Sequence, residues 1–177
     1  MKGIIVYQSK YGTTKKYATW LREKTGFEMI KTKDASVEKL LNYDILIFGG
    51  GIYASGITGL TFVKKNYEKL KDKKILLFCD GASPYHKETI EQMFKQNLQE
   101  LYDLLPCFYC RGAFHMKAMT FIDRNLCKLL IKSVKKKKSE DLLVWGKALL
   151  EAGDGPNDWS DPSYLEPLLK AIDDIQE

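Results

Sequence analysis

A hydroxyl-rich turn near the amino terminus has the residue types of an anion site. The apolar run Ile4–Tyr7 predicts a strand, and Lys15–Lys24 predicts a helix that begins soon after it. The first backbone N–H groups of a helix have no partners inside the helix, so they can bind a phosphate. Gly12 permits a close backbone approach, and the neighbouring hydroxyls can donate to the anion. The predicted phosphate-binding residues are Ser9, Lys10, Tyr11, Gly12, Thr13 and Thr14.

The same turn is compatible with an ordinary helix cap, because serine and threonine are common at that position. The chain contains neither GxxxxGK[ST] nor GxGxxG. These absences argue against a nucleotide triphosphate loop of the first type and against the usual dinucleotide fingerprint. Taken alone, the turn leaves a phosphate site and a plain cap as equal alternatives.

Two glycine-rich loops follow other predicted strands and share an edge of the sheet with this turn. In an open parallel sheet the carboxyl ends of the strands lie on one edge, where ligands bind. Gly49–Gly56 combines flexible backbone with an aromatic side chain, and Cys79–Pro84 is small and rich in backbone groups. A phosphate site beside such loops suits a flat aromatic ring with a phosphorylated tail. The predicted ring contacts are Gly51, Ile52, Tyr53, Ala54, Asp80, Gly81 and Ala82.

Three side chains in this region have structural alternatives. Tyr53 can flank a ring or pack on a neighbouring helix, and the two interpretations are equally supported. For Asp80, an Asx-turn at the strand end is favoured over a role in orienting a ligand. His86 lies near the third loop, where an ordinary helix residue is favoured over a proton donor. No side chain is therefore predicted to carry the chemistry itself.

The four cysteines predict neither a disulfide scaffold nor a metal centre. Cys107 and Cys110 have CxxC spacing, but they lie in an apolar run that predicts a strand. Their side chains would then point to opposite faces of the sheet, so a structural role is favoured over a redox pair. With two histidines in the whole chain, a closed zinc site is not expected.

Apolar strands alternate with amphipathic helices, which predicts one α/β domain over residues 1–177, with parallel strands and helices on both faces. The predicted strands are Ile4–Tyr7, Phe27–Lys31, Tyr43–Phe48, Lys74–Phe78 and Cys107–Phe114, with Gly51–Gly59 as a loop. The predicted helices are Lys15–Lys24, Asp34–Leu41, Leu60–Leu70, His86–Leu105, Met116–Val134, Ser139–Glu151 and Leu165–Ile175. A cytoplasmic location is the default expectation, because no signal-peptide pattern or membrane-spanning apolar run is present.

Much of the net charge of +5 comes from a basic helical segment, residues 115–138. The segment contains eight basic residues and a single acid, Asp123. One predicted helix face is apolar and consists of Ile122, Leu126, Leu129, Leu130 and Val134. Such a helix can pack on the sheet or lie on an anionic membrane surface, and packing on the sheet is favoured. No aromatic interleaving or recognised motif supports nucleic-acid binding.

The chain resembles the flavodoxins. Ser9–Thr14 fits the pattern [ST]-x-x-G-x-T of the flavodoxin phosphate loop, and Tyr43–Gly50 with its Gly-Ile-Tyr continuation resembles the second, ring-flanking loop. The Gly112-Ala113 pair and the basic segment after it are similar to the flavodoxin-domain group that includes the menaquinone-dependent protoporphyrinogen dehydrogenases. The resemblance implies a five-stranded parallel sheet in the order 2-1-3-4-5, with a helical insertion after the fifth strand.

The resemblance also implies FMN as the cofactor, held by the hydroxyls of Ser9 and Thr14 and by the backbone N–H groups of residues 10–14. It implies an FMN-dependent oxidoreductase, with a quinone as one candidate acceptor. The basic net charge departs from the acidic electron-carrier flavodoxins, and the third loop lacks the aromatic residue that often stacks on the flavin. A soluble electron-transfer flavodoxin and a cofactor-free interaction module are the alternatives, although the intact Ser9–Thr14 loop argues against the module.

Overall fold

A parallel sheet built from the apolar runs of the sequence forms the centre of the fold. The computed structural model describes residues 1–53, 55–138 and 142–177. The strands are β1 (Gly3–Gln8), β2 (Glu28–Lys31), β3 (Ile45–Tyr53), β4 (Gly56–Ile57), β5 (Lys74–Gly81), β6 (Cys107–Arg111), β7 (Ala113–Phe114) and β8 (Asn157–Asp158). The order of the parallel strands is β2-β1-β3-β5-β6, which confirms the predicted order of five. The chain therefore has the flavodoxin-like α/β fold.

Helices cover both faces of this sheet. They are α1 (Thr13–Thr25), α2 (Val37–Leu40), α3 (Leu60–Leu70), α4 (Lys87–Leu98), α5 (Phe121–Val134), α6 (Val144–Ala152) and α7 (Glu166–Gln176). α1 and α7 contribute to the core on one face, while α2, α3 and α4 contribute to the core on the other. Alternate residues of each strand enter the two cores, as expected for strands buried on both sides.

The cysteines of the CxxC spacing follow this alternation. Cys110 is buried in the core beneath α1 and α7, whereas Cys107 packs against the core on the opposite face. The predicted separation of the two side chains is confirmed. Burial raises the pKa of both thiols, which keeps them protonated and unreactive at neutral pH.

The two glycine-rich loops differ from their prediction, because β3 and β5 continue into them. Gly50 pairs in register with Cys79, and Gly81 pairs with Arg111. The prediction of a Gly51–Gly59 loop is thus wrong for its first part, and a short hairpin of β3 and β4 replaces the middle. A Cβ on Gly50 would lie 2.1 Å from the Thr58 carbonyl oxygen, so glycine is present for close packing and not for a turn.

Two predicted helices and one predicted strand are shorter than expected. α4 ends at Leu98, because Gln99 takes a positive φ of 56° and begins a short 3₁₀ turn. The predicted strand over 107–114 divides at Gly112 into β6 and β7, and β7 pairs antiparallel with β8. The predicted helix over 116–134 is interrupted before Thr120, whose side chain caps α5.

The last third of the chain also departs from prediction in its boundaries. α6 begins at Val144, and the predicted start of that helix at Ser139 lies outside the described residues. A 3₁₀ turn over Pro162–Leu165 precedes α7, whose Leu168 and Ile172 are fully buried on the sheet. α7 therefore covers the same face of the sheet as α1.

The basic segment does not pack its apolar face on the sheet. α5 contacts α6 and joins a small separate cluster around Phe114, Met116 and Ala152. Its residues Ile122 and Leu126 are exposed. The favoured prediction, a helix with its apolar face on the sheet, is therefore wrong. Among the described residues, no helix is both long enough and apolar enough to cross a bilayer.

Candidate ligand site at the carboxyl edge of the sheet

The turn between β1 and α1 leaves the start of the helix open. Gly12 is the residue before the helix and has a φ of 101°, in the left-handed region that favours glycine. No side chain caps α1, and the Ser9 hydroxyl instead accepts the Gly12 N–H at 3.1 Å. Ser9, Thr13 and Thr14 therefore do not cap the helix, although Ser9 does stabilise the turn, as the alternative to a phosphate site also predicts. The first-turn N–H groups of α1 are available to an anion.

A buried carboxyl group lies beside the first turn of α1. Thr14 and Asp80 are the two buried polar residues at this edge, and they are 2% and 7% exposed. Oδ1 of Asp80 has no hydrogen-bond partner in the described part of the chain. Burial raises the pKa of Asp80 to about 6, and a hydrogen bond with Thr14 partly opposes this shift. The Asx-turn interpretation of Asp80 is wrong, because the residue belongs to β5.

Glycines bring three backbone segments close to this pair. A Cβ on Gly51 would lie 3.2 Å from the Thr14 hydroxyl oxygen. A Cβ on Gly112 would lie 3.2 Å from Oδ2 of Asp80. Both distances are tighter than ordinary van der Waals contacts, so the start of α1, the ends of β3 and β5 and the residue after β6 meet around one small polar centre. The predicted convergence of the three loops at one edge is present in the structure.

The third loop is held by residues of β6 that were not predicted from the sequence. The Tyr109 hydroxyl lies 2.9 Å from the Gly81 carbonyl oxygen and 2.5 Å from that of Ser83. Nε of Arg111 donates to the Ala82 carbonyl at 3.3 Å. The spacing of Tyr109 and Arg111 does not form a recognised motif. The apolar run that contains them predicts the strand and does not predict these contacts.

The second loop is held by polar contacts to its neighbours. The Thr58 hydroxyl accepts the Gly51 N–H at 2.9 Å, and Asn97 of α4 accepts the Ile57 N–H at 3.0 Å. Ile52 packs against the core and would touch a Cβ on Gly81 at 3.1 Å, so it joins the second and third loops. Ala54, one of the predicted ring contacts, lies outside the described residues.

The basic segment reaches the Ser9–Thr14 turn, which we name the phosphate turn after its predicted ligand, through its one acid. Asp123 forms an ion pair with Lys10 and accepts a hydrogen bond from the Tyr11 hydroxyl. The same hydroxyl accepts the Thr120 N–H at 3.1 Å. These hydrogen bonds lower the pKa of Asp123 and raise that of Lys10. The signal for this link in the sequence was that Asp123 is the single acid among eight basic residues. The partner of Asp123 could not be identified from the sequence.

Two tyrosines and a lysine form the outer wall of the site. The rings of Tyr11 and Tyr53 have centroids 5.8 Å apart, and Nζ of Lys10 lies 5.5 Å from the centroid of the Tyr53 ring. Tyr53 is half-buried, and that burial raises the pKa of its hydroxyl. Tyr53 therefore packs beside the phosphate turn, on the side where α5 begins.

Two surface cavities of about 300 and 310 Å³ lie along α1. One is lined by its last residues together with α7, and the other extends from Gly12 along the outer side of the helix to Trp20 and Glu23. Neither is lined by Tyr53 or Gly81. The second cavity therefore touches the first loop at Gly12, and neither cavity extends to the second or third loop.

The model of a family described as Flavodoxin domain matches residues 4–141. The chain belongs to the flavodoxin-domain family. The matched part contains all five parallel strands together with α5, and it ends before α6. The phosphate turn, the two glycine-rich loops and the basic segment are therefore all within the part of this flavodoxin-domain chain that the family model matches.

Individual relatives of this flavodoxin-domain protein are distant. An uncharacterised protein of Methanocaldococcus jannaschii is 25% identical over 114 residues, which cover 63% of this chain and 76% of that protein. The two-electron reduced flavodoxin of Megasphaera elsdenii is 19% identical, covers 60% of this chain and 82% of its own, and gives a TM-score of 0.45. A flavoprotein of Lactobacillus acidophilus in complex with FMN is 18% identical over 62% and 91% of the two chains, with a TM-score of 0.41.

Proposed function

We propose that this protein binds FMN at the carboxyl edge of its sheet and acts as an FMN-dependent oxidoreductase. The observation that carries the proposal is the uncapped start of α1 after a left-handed Gly12, beside the small polar centre of Thr14 and Asp80. An open helix start attracts a dianionic phosphate, and the surrounding glycines leave room for backbone contacts. Membership of the flavodoxin-domain family supports the same ligand class.

The phosphate would be held at the β1–α1 turn. The first-turn N–H groups of α1 and the hydroxyl of Ser9 are the donors for it, and the Thr14 hydroxyl would exchange its bond to Asp80 for one to the phosphate. Ser9 also fixes the turn through its bond from the Gly12 N–H. Lys10 adds positive charge outside the turn, although Asp123 neutralises much of it.

The ring would lie toward Tyr53 and the third loop. Carbonyl oxygens of Gly81, Ala82 and Ser83 already accept hydrogen bonds from β6, so this loop offers its N–H groups to the ring edge. Tyr53 can cover one ring face, since it is half-buried beside Gly51. A bound flavin supplies one- or two-electron transfer, while these residues bind it, orient it and keep water from part of its surface.

The finer proposal is an oxidoreductase related to the menaquinone-linked protoporphyrinogen dehydrogenases. Two features support it over a soluble electron carrier. The net charge is basic, whereas docking of acidic carriers relies on negative charge. The basic segment also contacts the phosphate turn directly, through Tyr11 and Asp123, so the insertion belongs to the neighbourhood of the site.

A pair of matched glycine variants tests the phosphate site. Gly12→Ala and Gly26→Ala each place a Cβ at a positive φ, at opposite ends of α1, with open space around the new atom. We expect Gly12→Ala to weaken FMN binding at least tenfold, measured by quenching of flavin fluorescence. Gly26→Ala should cost similar stability, about 1 kcal/mol, and leave the affinity for FMN unchanged.

Riboflavin and a double variant complete this test. Wild-type protein should bind FMN at least tenfold more tightly than riboflavin, and Ser9→Ala with Thr14→Ala should remove most of that difference. Equal affinity for the two flavins, or unchanged FMN affinity in the double variant, would contradict the placement of the phosphate.

Turnover assays separate the oxidoreductase from a carrier. FMN-loaded protein is mixed with a porphyrinogen as reductant and a water-soluble quinone as acceptor, and formation of the porphyrin is followed by absorbance. Sustained turnover that requires both FMN and protein supports the finer proposal. FMN binding without turnover would leave an electron carrier as the function, and no binding of either flavin would favour an interaction module.

A further inference from the structure

α5 has three distinct sides. Cys127, Ile131 and Val134 face inward, toward the small cluster shared with α6. A second side is apolar and exposed, and a third is basic and follows the i, i+4 row of Arg124, Lys128 and Lys132. The helix is thus anchored to the protein by a narrow face that its sequence pattern alone did not distinguish from the outer apolar side.

The exposed apolar side is unusually large for one helix. We name it the apolar stripe, and it consists of Ile122, Leu126, Leu129 and Leu130, while Phe121 is exposed at the start of the helix on the side of the lysines. These side chains are between 42% and 77% exposed. Five of the eleven large apolar side chains that are exposed in the described residues belong to this one helix. Contiguous exposed apolar surface of this kind marks an interaction site, and scattered single residues do not.

Positive charge borders the apolar stripe along the helix and beyond its end. Lys128 and Lys132 are exposed on the adjacent side, and Lys135, Lys136 and Lys137 are exposed after the helix. The single acid of the segment, Asp123, is engaged by Lys10. Within the described residues, the surface therefore combines apolar side chains with a row of lysines whose long stems can reach past the apolar face toward anionic groups.

We propose that the apolar stripe and its lysines dock this protein on an anionic lipid bilayer surface. An amphipathic helix about 21 Å long, with isoleucine and leucine on one side and lysine on the other, binds in the plane of such a surface. A second copy of the chain is disfavoured as the occupant, because the lysine rows of two copies would repel. A nucleic acid would contact the lysines and leave the apolar stripe in water.

Docking would bring the ligand edge of the sheet close to the lipid. The start of α5 is bonded to the phosphate turn through Thr120 and Asp123, which contact Tyr11. The apolar stripe begins two residues after Thr120, so the membrane-facing surface and the candidate site are adjacent. This inference goes beyond the proposed function and holds whether or not FMN is bound.

Vesicle sedimentation tests the inference directly. The full chain, with and without added FMN, is mixed with vesicles of pure phosphatidylcholine or of phosphatidylcholine with 30% phosphatidylglycerol. We expect binding to the anionic vesicles in both cases. Binding should weaken strongly as salt is raised from low to about 0.5 M, because salt screens the attraction between the lysines and the anionic lipids.

Two variants with matched controls locate the surface. Ile122→Ser, Leu126→Ser and Leu129→Ser together should reduce partitioning at least tenfold, whereas Leu41→Ser with Leu104→Ser, also exposed, should not change it. Lys128→Gln with Lys132→Gln should reduce it about fivefold for each lysine, whereas Lys64→Gln with Lys65→Gln on α3 should have a smaller effect. Circular dichroism and the thermal midpoint confirm that each variant is folded.

Three other outcomes would lead to different conclusions about this surface or about the proposed function. Absence of binding to anionic vesicles, or binding that the apolar variants leave unchanged, would overturn the proposal. A concentration-dependent dimer that the apolar variants abolish, in a chain that does not bind vesicles, would assign the apolar stripe to a second copy. Failure of FMN binding with intact vesicle binding would refute the proposed function and leave this inference standing.

Discussion

α1 and α5 are amphipathic helices of 13 and 14 residues that use their apolar sides in opposite ways. α1 buries Tyr17 and Leu21 completely against the sheet, whereas α5 leaves Ile122 and Leu126 exposed. Both helices show the same helical spacing of apolar residues. Spacing therefore shows which side of a helix is apolar, and the connections of the chain decide what covers that side. α1 links two neighbouring parallel strands and must cross the sheet, and α5 has no such constraint.

The largest expected difference between the two helices is in stability. Leu21→Ala should lower the free energy of unfolding by about 3 kcal/mol, because it leaves a cavity in a fully buried site. Leu126→Ala in α5 should change it by less than about 0.5 kcal/mol. Urea denaturation of both variants measures the two values. Equal losses would mean that α5 is covered in solution, and the contrast between the helices would fail.

Replacing the acid beside each helix should change the stability of the protein at high pH in opposite directions. A pKa raised from 3.8 to about 6 means that ionised Asp80 lowers folded-state stability by up to about 3 kcal/mol above pH 7. Asp80→Asn should therefore raise the urea midpoint at pH 8, with a benefit that shrinks as pH falls through 6 and disappears near pH 3.5. Asp123, whose pKa is lowered by Lys10 and Tyr11, serves as the control. Asp123→Asn should lower the midpoint at pH 8.

The pH dependence of flavin binding should sharpen the role of Asp80. Ionised Asp80 repels a phosphate dianion at the start of α1, so the affinity of wild type for FMN relative to Asp80→Asn should rise about tenfold from pH 7.5 to 5. The phosphate group titrates in the same range, but it does so equally in both proteins. Fluorescence titration over this range measures the ratio. A ratio independent of pH would place the phosphate away from Asp80.

The smallest expected effect concerns the link between the phosphate turn and α5. Tyr11→Phe removes the hydroxyl that bonds Asp123 and Thr120, and should cost less than about 1 kcal/mol because the contact is exposed. Hydrogen exchange of the Thr120 amide should nevertheless become several-fold faster. Tyr85→Phe, on the third-loop side, is the matched control. Unchanged exchange at Thr120 would mean that α5 is held by its contacts with α6 alone.

The sheet and the edge of the site could be predicted from the sequence because their signals are local. Apolar runs identify β1, β3 and β5, and their loops must share an edge whatever the rest of the chain does. The Ser9–Thr14 turn was predicted from residue types alone. The continuation of β3 through Gly49–Gly51 was not predicted, since glycine occurs both in turns and in closely packed strands. At Gly50, only the contact with the Thr58 carbonyl decides between the two.

The remaining features depend on contacts between distant parts of the chain. The hydrogen bonds of Tyr109 to the third loop and the ion pair of Lys10 with Asp123 join residues 26 to 113 positions apart. Nothing in the local pattern of either residue specifies its partner. The inward face of α5 was misassigned for the same reason, because Cys127 and Ile131 contact the cluster shared with α6 and not the sheet.

The short pairing of β7 with β8 has a consequence for how this chain can change over time. Ala113 and Asp158 are register partners in a separate two-stranded sheet, so the segment between them begins and ends at neighbouring positions. Insertions and deletions between these two points would leave the order of the parallel strands unchanged, whereas changes at Thr120 or Asp123 would also remove contacts to Tyr11. We therefore expect protein engineering to be able to exchange much of this segment as a module while the five parallel strands are kept.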